Sequence, residues 1–160
     1  MERRELFSSL VSPFTKDEQE NESILIRPPY YKKESAFLKE CIHCDGKCAT
    51  VCEEHIIIIQ EDKTPMLDLS ISGCTYCDEC AKACEYKVLK VKHKKDINIS
   101  IKIDMLKCMS WNNTMCFSCK DPCIDDAIDF LAMFRPSINE KCTSCGFCIK
   151  YCPVGAITIG

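Results

Sequence analysis

Cysteine is the residue that most constrains this chain, because it supplies 16 of the 160 residues. The cysteines form four compact groups, whose first members lie 33 or 34 residues apart along the sequence. In chain order, the groups are Cys41, Cys44, Cys48 and Cys52; Cys74, Cys77, Cys80 and Cys84; Cys108, Cys116, Cys119 and Cys123; and Cys142, Cys145, Cys148 and Cys152. Four thiolates are the usual ligand set of one iron–sulfur cubane, so these groups predict four [4Fe–4S] clusters.

Disulfides and zinc are the competing uses of so many cysteines. A disulfide framework needs an oxidising compartment, and the first 26 residues contain no apolar stretch typical of an export signal. Zinc also binds C-x2-C pairs, but a structural zinc site usually combines two pairs that a longer loop separates. Here each short loop contains all four thiols and the pattern occurs four times. Iron–sulfur clusters are therefore favoured, with zinc as the alternative.

The spacing within the groups is not uniform. Group four follows C-x2-C-x2-C-x3-C-P from Cys142 to Pro153. This run resembles that of the bacterial two-cluster ferredoxins, in which three cysteines bind one cluster and the fourth binds its neighbour. Group two lacks the proline, group one has one extra residue, and group three opens with seven residues between Cys108 and Cys116. Gly46 is expected to absorb the extra residue of group one, since glycine tolerates a positive φ angle.

The three-plus-one arrangement can pair the groups in two ways. Sequential pairing, which we favour, joins group one with two and three with four, whereas nested pairing joins one with four and two with three. The sequential ligand sets are Cys41, Cys44, Cys48 and Cys84; Cys74, Cys77, Cys80 and Cys52; Cys108, Cys116, Cys119 and Cys152; and Cys142, Cys145, Cys148 and Cys123. Three histidines, His43, His55 and His93, are expected to be ordinary surface residues, because the thiols already complete the clusters.

Short apolar segments follow each cysteine group and predict β-strands at residues 56–59, 88–91, 127–130 and 156–159. Isoleucine alternates with polar residues over 97–103, which predicts a half-buried strand that pairs with 156–159. Helical turns are predicted at 35–40 and before the last cysteine of each group. We therefore expect an α+β fold of two tandem ferredoxin-like units of the bacterial 2[4Fe–4S] type, with short helices and β-hairpins. Residues 1–27 would be a mobile tail, 28–96 the first unit and 97–160 the second.

Charge and motif content exclude several function classes. The formal charge of −3 would become about −11 with four clusters and their thiolates, which disfavours nucleic acid as a partner. No run of 18 apolar residues predicts a membrane span. We identify no Ser/His/Asp set, phosphate-binding loop or pair of buried carboxylates. These observations favour a protein that handles electrons or binds partners, and not an enzyme with its own substrate site.

From about Ile26 onward the chain resembles the ferredoxin-type NapF family of the periplasmic nitrate reductase system. The resemblance rests on Ile26-Arg27-Pro28-Pro29-Tyr30, Glu34-Ser35, Phe37-Leu38, the C-x7-C-x2-C-x3-C spacing of group three, Phe134-Arg135-Pro136 and Cys152-Pro153-Val154-Gly155-Ala156-Ile157. The wide third group is the most specific of these features, and group one departs from the family spacing by its extra residue.

The resemblance implies a cytoplasmic four-cluster protein that acts with the nitrate reductase catalytic subunit and with redox partner proteins. Its role would be maturation of the precursor of that subunit, or electron supply to it. A general polyferredoxin electron-transfer subunit of another redox enzyme is the alternative. Arg3 and Arg4 also resemble part of a twin-arginine signal, but no apolar stretch follows them, so export is not expected.

Overall fold

The structure, a computed structural model, describes residues 24–160 of the chain. Within this range it contains four α-helices and six strands, all of them short. The helices are α1 (Ser35–Glu40), α2 (Lys47–Thr50), α3 (Glu79–Lys82) and α4 (Phe147–Tyr151). The strands are β1 (Ile57–Ile59), β2 (Pro65–Leu67), β3 (Ile101–Ile103), β4 (Ile128–Leu131), β5 (Phe134–Ile138) and β6 (Ile157–Ile159). This mixture agrees with the predicted α+β class, and none of the described helices is long and apolar enough to cross a lipid bilayer.

The strands form three separate two-stranded antiparallel sheets. β1 pairs with β2 and β4 pairs with β5, and both pairs join neighbouring segments of the chain. β3 pairs with β6, and Lys102 lies opposite Thr158 in the centre of this pair. The predicted pairing of the isoleucine-rich segment with the final strand is therefore confirmed. It brings the start of the second half of the chain back to its end.

Two strand predictions need correction. Residues 88–91 form no strand, because Leu89 makes only an isolated bridge with Tyr31 and a 3-10 helix begins at Val91. Of the predicted strand at 97–103, only Ile101–Ile103 is a strand. The backbone N–H of Ile97 instead donates to the Tyr76 hydroxyl at 3.1 Å. Tertiary contacts therefore override the local alternation in the first half of this segment.

The buried apolar side chains form two clusters, and cysteines are part of both. The first cluster contains Tyr30, Phe37, Ile56, Leu67, Leu69 and Ile97 together with Cys41 and Cys80. The second contains Ile101, Ile128 and Ile157 together with Cys119 and Cys148. Partly buried Ile99 and Ile149 pack against both clusters, so the two halves of the chain are in contact. Ile97 belongs to the first cluster although the sequence places it at the start of the second unit.

A buried arginine anchors the segment before α1. Arg27 is 7% exposed, and its guanidinium donates to Thr64 Oγ1 at 2.8 Å and to the Pro65 carbonyl at 2.7 Å. Its Nε also pairs with Glu34 at 2.6 Å, as a buried cation requires. Ile26 and Arg27 thus pack against the first unit, although the prediction assigned them to the tail. The rest of that tail, including Arg3 and Arg4, lies outside the described residues.

Candidate metal centres

Three cavities in the described part of the chain are each lined by four cysteines. Cys52, Cys74, Cys77 and Cys80 line the first, with an empty volume of about 400 Å³ including space open to solvent. Cys123, Cys142, Cys145 and Cys148 line the second, of about 330 Å³. Cys108, Cys116, Cys119 and Cys152 line the third, of about 340 Å³. Each cavity combines three cysteines of one group with the last cysteine of the adjacent group.

The remaining four cysteines are also close to one another. Burial raises the pKa of Cys48 to about 12, and the nearby thiolates of Cys84, Cys44 and Cys41 contribute to the increase. Burial likewise raises the pKa of Cys41 to about 11, with Cys84 as the largest charge contribution. Twelve of the sixteen predicted ligands thus line three cavities that coincide with sequential sets. The thiols of the remaining set lie near enough to influence one another. Which of them bind metal stays a prediction.

The third cysteine of groups one, two and four lies in a short helix. α2, α3 and α4 contain Cys48, Cys80 and Cys148, and each helix follows a residue with a positive φ angle. In group one this residue is Gly46, at φ 71°, so the positive φ angle expected of this glycine is confirmed. Group three has no such helix, and its wide gap is filled by turns between Cys108 and Cys116.

Backbone amides donate to the last cysteine of groups two, three and four. The N–H of Leu89 lies 3.4 Å from Cys84 Sγ, that of Ala127 lies 3.2 Å from Cys123 Sγ, and that of Ala156 lies 3.2 Å from Cys152 Sγ. Such donors stabilise a thiolate or a metal-bound sulfur. These donors are not predictable from the sequence, because a backbone N–H has no residue signature. The only signal is the alanine four residues after the last cysteine in groups three and four.

The electrostatics of the cavities favour a bound cation. Burial raises the pKa of Cys74 to about 11, that of Cys119 to about 11 and that of Cys148 to about 12, and neighbouring thiolates contribute in each case. Thiolates in these cavities are therefore unfavourable unless positive charge compensates them, and metal binding must release protons.

The donor set and the space between the donors fit a [4Fe–4S] cluster. All sixteen cysteines are free thiols, and soft thiolates are the ligands that such clusters use. Between residues 24 and 160, no three Cys, His, Asp or Glu side chains converge tightly enough to hold a single metal ion. Twelve of the cysteines surround cavities, as the ligands of a polynuclear cluster do.

The histidines lie outside these cavities. His43 and His55 are exposed, as predicted. His93 is half-buried, and its Nδ1 has no hydrogen-bond partner among the described residues, so it is not the ordinary surface residue that was expected. Burial lowers its pKa, and the positive charges of Lys92 and Lys90 lower it further.

Groups two and four are in direct contact across the two halves of the chain. The backbone N–H of Cys74 donates to the Cys145 carbonyl at 2.7 Å. The Tyr76 hydroxyl donates to the Thr143 carbonyl at 2.6 Å and accepts the N–H of Ile97 at 3.1 Å. We call this contact the junction. Sequence reasoning did not predict it, because Tyr76 and Thr143 are the variable residues of ordinary C-x2-C loops.

A family model described as a 4Fe-4S binding domain matches residues 137–158, which contain all of group four. Together with the cysteine-lined cavities, this match defines the chain as an iron–sulfur protein of the ferredoxin type. Proteins of this class are in general electron carriers and not enzymes.

Curated relatives identify the family. The ferredoxin-type protein NapF of Escherichia coli strain K12 is 32% identical over 138 residues, which cover 83% of this chain and 83% of the relative. NapF of Haemophilus influenzae is 31% identical over 152 residues, 88% of this chain and 82% of the relative. The chain belongs to the NapF family of ferredoxin-type proteins.

A second group of relatives is more distant. The methylamine utilization ferredoxin-type protein MauM of Methylorubrum extorquens is 28% identical over 160 residues, 86% of this chain and 72% of the relative. The chain is thus similar to two kinds of ferredoxin-type protein, NapF and MauM.

Proposed function

We propose that the chain binds four [4Fe–4S] clusters through the sequential ligand sets, in two tandem ferredoxin-like units at residues 28–96 and 97–160. The main support for this proposal is that three cavities are each lined by the four thiols of one sequential set. Cys41, Cys44, Cys48 and Cys84 would hold the fourth cluster, since these thiols are close enough for their charges to interact. When bound, such clusters supply one-electron redox chemistry.

The proposed role is that of a cytoplasmic accessory protein for the periplasmic nitrate reductase catalytic subunit. It would bind the precursor of that subunit and act in its maturation, or it would supply electrons to it together with redox partner proteins. Membership of the NapF family supports this assignment. Three cavities in the described part of the chain are each lined by four cysteines, which supports a redox or partner-binding role over an enzymatic one.

The alternative is a general polyferredoxin subunit that passes electrons in another redox system. The likeness to MauM favours it, because the name of that relative refers to methylamine utilization. The same four ligand sets would serve either role, so the partner distinguishes the two.

Anaerobic co-purification tests the role directly. The cluster-loaded protein would be incubated with a tagged precursor of the catalytic subunit and, separately, with its mature form. Selective retention by the precursor is the expected result. Retention by the mature form alone would eliminate maturation and leave electron supply. Retention by neither form would overturn the nitrate reductase assignment in favour of the general electron carrier.

A further inference from the structure

We propose, on the basis of the four-cluster assignment above, that the chain arranges its cysteine sets in one line, in the order of groups one, two, four and three. Each set is named here after the group that contributes three of its ligands. Gly73 and Tyr76 would be positioning residues at the centre of this line. They would fix the approach of set two to set four, and sets one and three would form the two ends.

Within each half, one helical turn connects the two sets. Cys48 lies in α2 and belongs to set one, whereas Cys52, four residues later, lines the cavity of set two. Cys52 lies only two residues beyond the end of α2 at Thr50, and one helical turn spans about 5.4 Å along the axis, so the two sets are adjacent. α4 connects set four to set three in the same way, because Cys148 and Cys152 line the two cavities of the second half.

Between the halves, contact is made through groups two and four. Every hydrogen bond described between residues 24–96 and 97–160 involves Cys74 or Tyr76. Their partners include Cys145, a member of set four, and Thr143, which lies between two of its ligands. Set two and set four are therefore the sets that face each other across the junction.

Two glycines make this approach possible. A Cβ atom at Gly73 would lie 2.5 Å from the Phe147 ring and 2.6 Å from the Phe147 backbone nitrogen. Gly146, which precedes Phe147, lies against Leu69. A Cβ atom at Gly146 would lie 3.0 Å from the Leu69 side chain. A side chain at Gly73 would force the loops of groups two and four apart. The reason is that the Phe147 backbone cannot move aside as the end of a flexible side chain can.

Magnetic interaction between reduced clusters tests this order, because it weakens with distance. The full chain would be loaded anaerobically, reduced and studied by electron paramagnetic resonance (EPR), with iron and sulfide counted in every sample. In Tyr76→Phe and Gly73→Ala, we expect unchanged iron content and a weaker interaction between the two halves. Tyr86→Phe is the matched control, because its hydroxyl donates to the His43 carbonyl within the first half.

Cluster removal provides a second test that does not depend on the junction variants. Cys77→Ala should abolish set two and leave set one magnetically isolated, whereas Cys116→Ala should remove set three and leave the other three sets interacting. If set one still interacts with another set in Cys77→Ala, the linear order is wrong. If both junction variants match Tyr86→Phe, Gly73 and Tyr76 do not position set two against set four. A wild-type protein that holds fewer than four clusters would instead contradict the proposed function itself.

Discussion

The hydroxyl of Tyr76 donates to the carbonyl of Thr143 at 2.6 Å and thereby connects the C-x2-C loops of groups two and four. Tyr76 immediately precedes Cys77, and Thr143 immediately follows Cys142. The two halves of the chain thus meet through the loops that hold the proposed ligands. A disturbance at this contact should affect stability as well as the spacing of the clusters.

Tyr76→Phe should lower the free energy of unfolding by about 1–2 kcal/mol, because it removes a half-buried hydrogen bond and leaves the Thr143 carbonyl without this donor. The measurement is anaerobic denaturant unfolding of the loaded protein. Tyr86→Phe removes a hydroxyl from an exposed tyrosine and should change stability much less. Equal effects of the two variants would show that the junction hydrogen bond stabilises the protein no more than the exposed hydrogen bond of Tyr86 does.

Gly73→Ala should destabilise the protein by about 1–3 kcal/mol, since the new methyl group overlaps Phe147 and forces a backbone shift. Thermal unfolding under anaerobic conditions measures the effect. Gly155→Asn is a suitable control, because Gly155 has open space around its Cβ position and asparagine tolerates its positive φ angle of 59°. A Gly73→Ala protein as stable as the control would contradict the close approach described here.

Cys152→Ala should damage the cluster of set three more than that of set four. The reason is that Cys152 lines the cavity of Cys108, Cys116 and Cys119, away from the other members of its own group. Iron content should fall by up to about four atoms per chain, and EPR should show which signal is lost. Cys145→Ala is the matched control and should affect set four. Loss of the set-one signal in Cys152→Ala would support nested pairing instead.

Arg27→Met should lower the free energy of unfolding by about 1–3 kcal/mol, because it leaves the buried Thr64 hydroxyl and the Pro65 carbonyl without their charged donor. Lys39→Met changes an exposed cation of α1 and should have little effect. Comparison of the denaturant midpoints of the two variants tests this role. If Lys39→Met proves as damaging as Arg27→Met, the buried network does not stabilise the start of the fold.

Much of the local structure was predictable, because it follows from short-range patterns. The apolar runs after the cysteines indicated β1, β4 and β6, and Gly46 indicated the turn before α2. The pairing of β3 with β6 was also predicted correctly, since the alternation of isoleucine required a partner strand. The family was recognisable from the unusual spacing of group three.

The contacts between distant segments were not predictable in the same way. Tyr76, Gly73 and Arg27 act through partners that are far away in sequence or are backbone atoms, and a single sequence does not reveal such partners. Ile97 shows the same limit, because its side chain suits a strand whereas its N–H bonds to Tyr76. His93 was expected at the surface, and only the fold brings its ring into a half-buried position.

Iron and sulfide, held by thiolates, are proposed to organise this small protein. The most direct measurement is the iron, acid-labile sulfide and zinc content of the anaerobically purified chain. About sixteen iron and sixteen sulfide atoms per chain are expected, with a brown colour that fades when the clusters are removed. A folded, colourless protein that contains zinc, or one that contains no metal and has free or cross-linked cysteines, would contradict the claim.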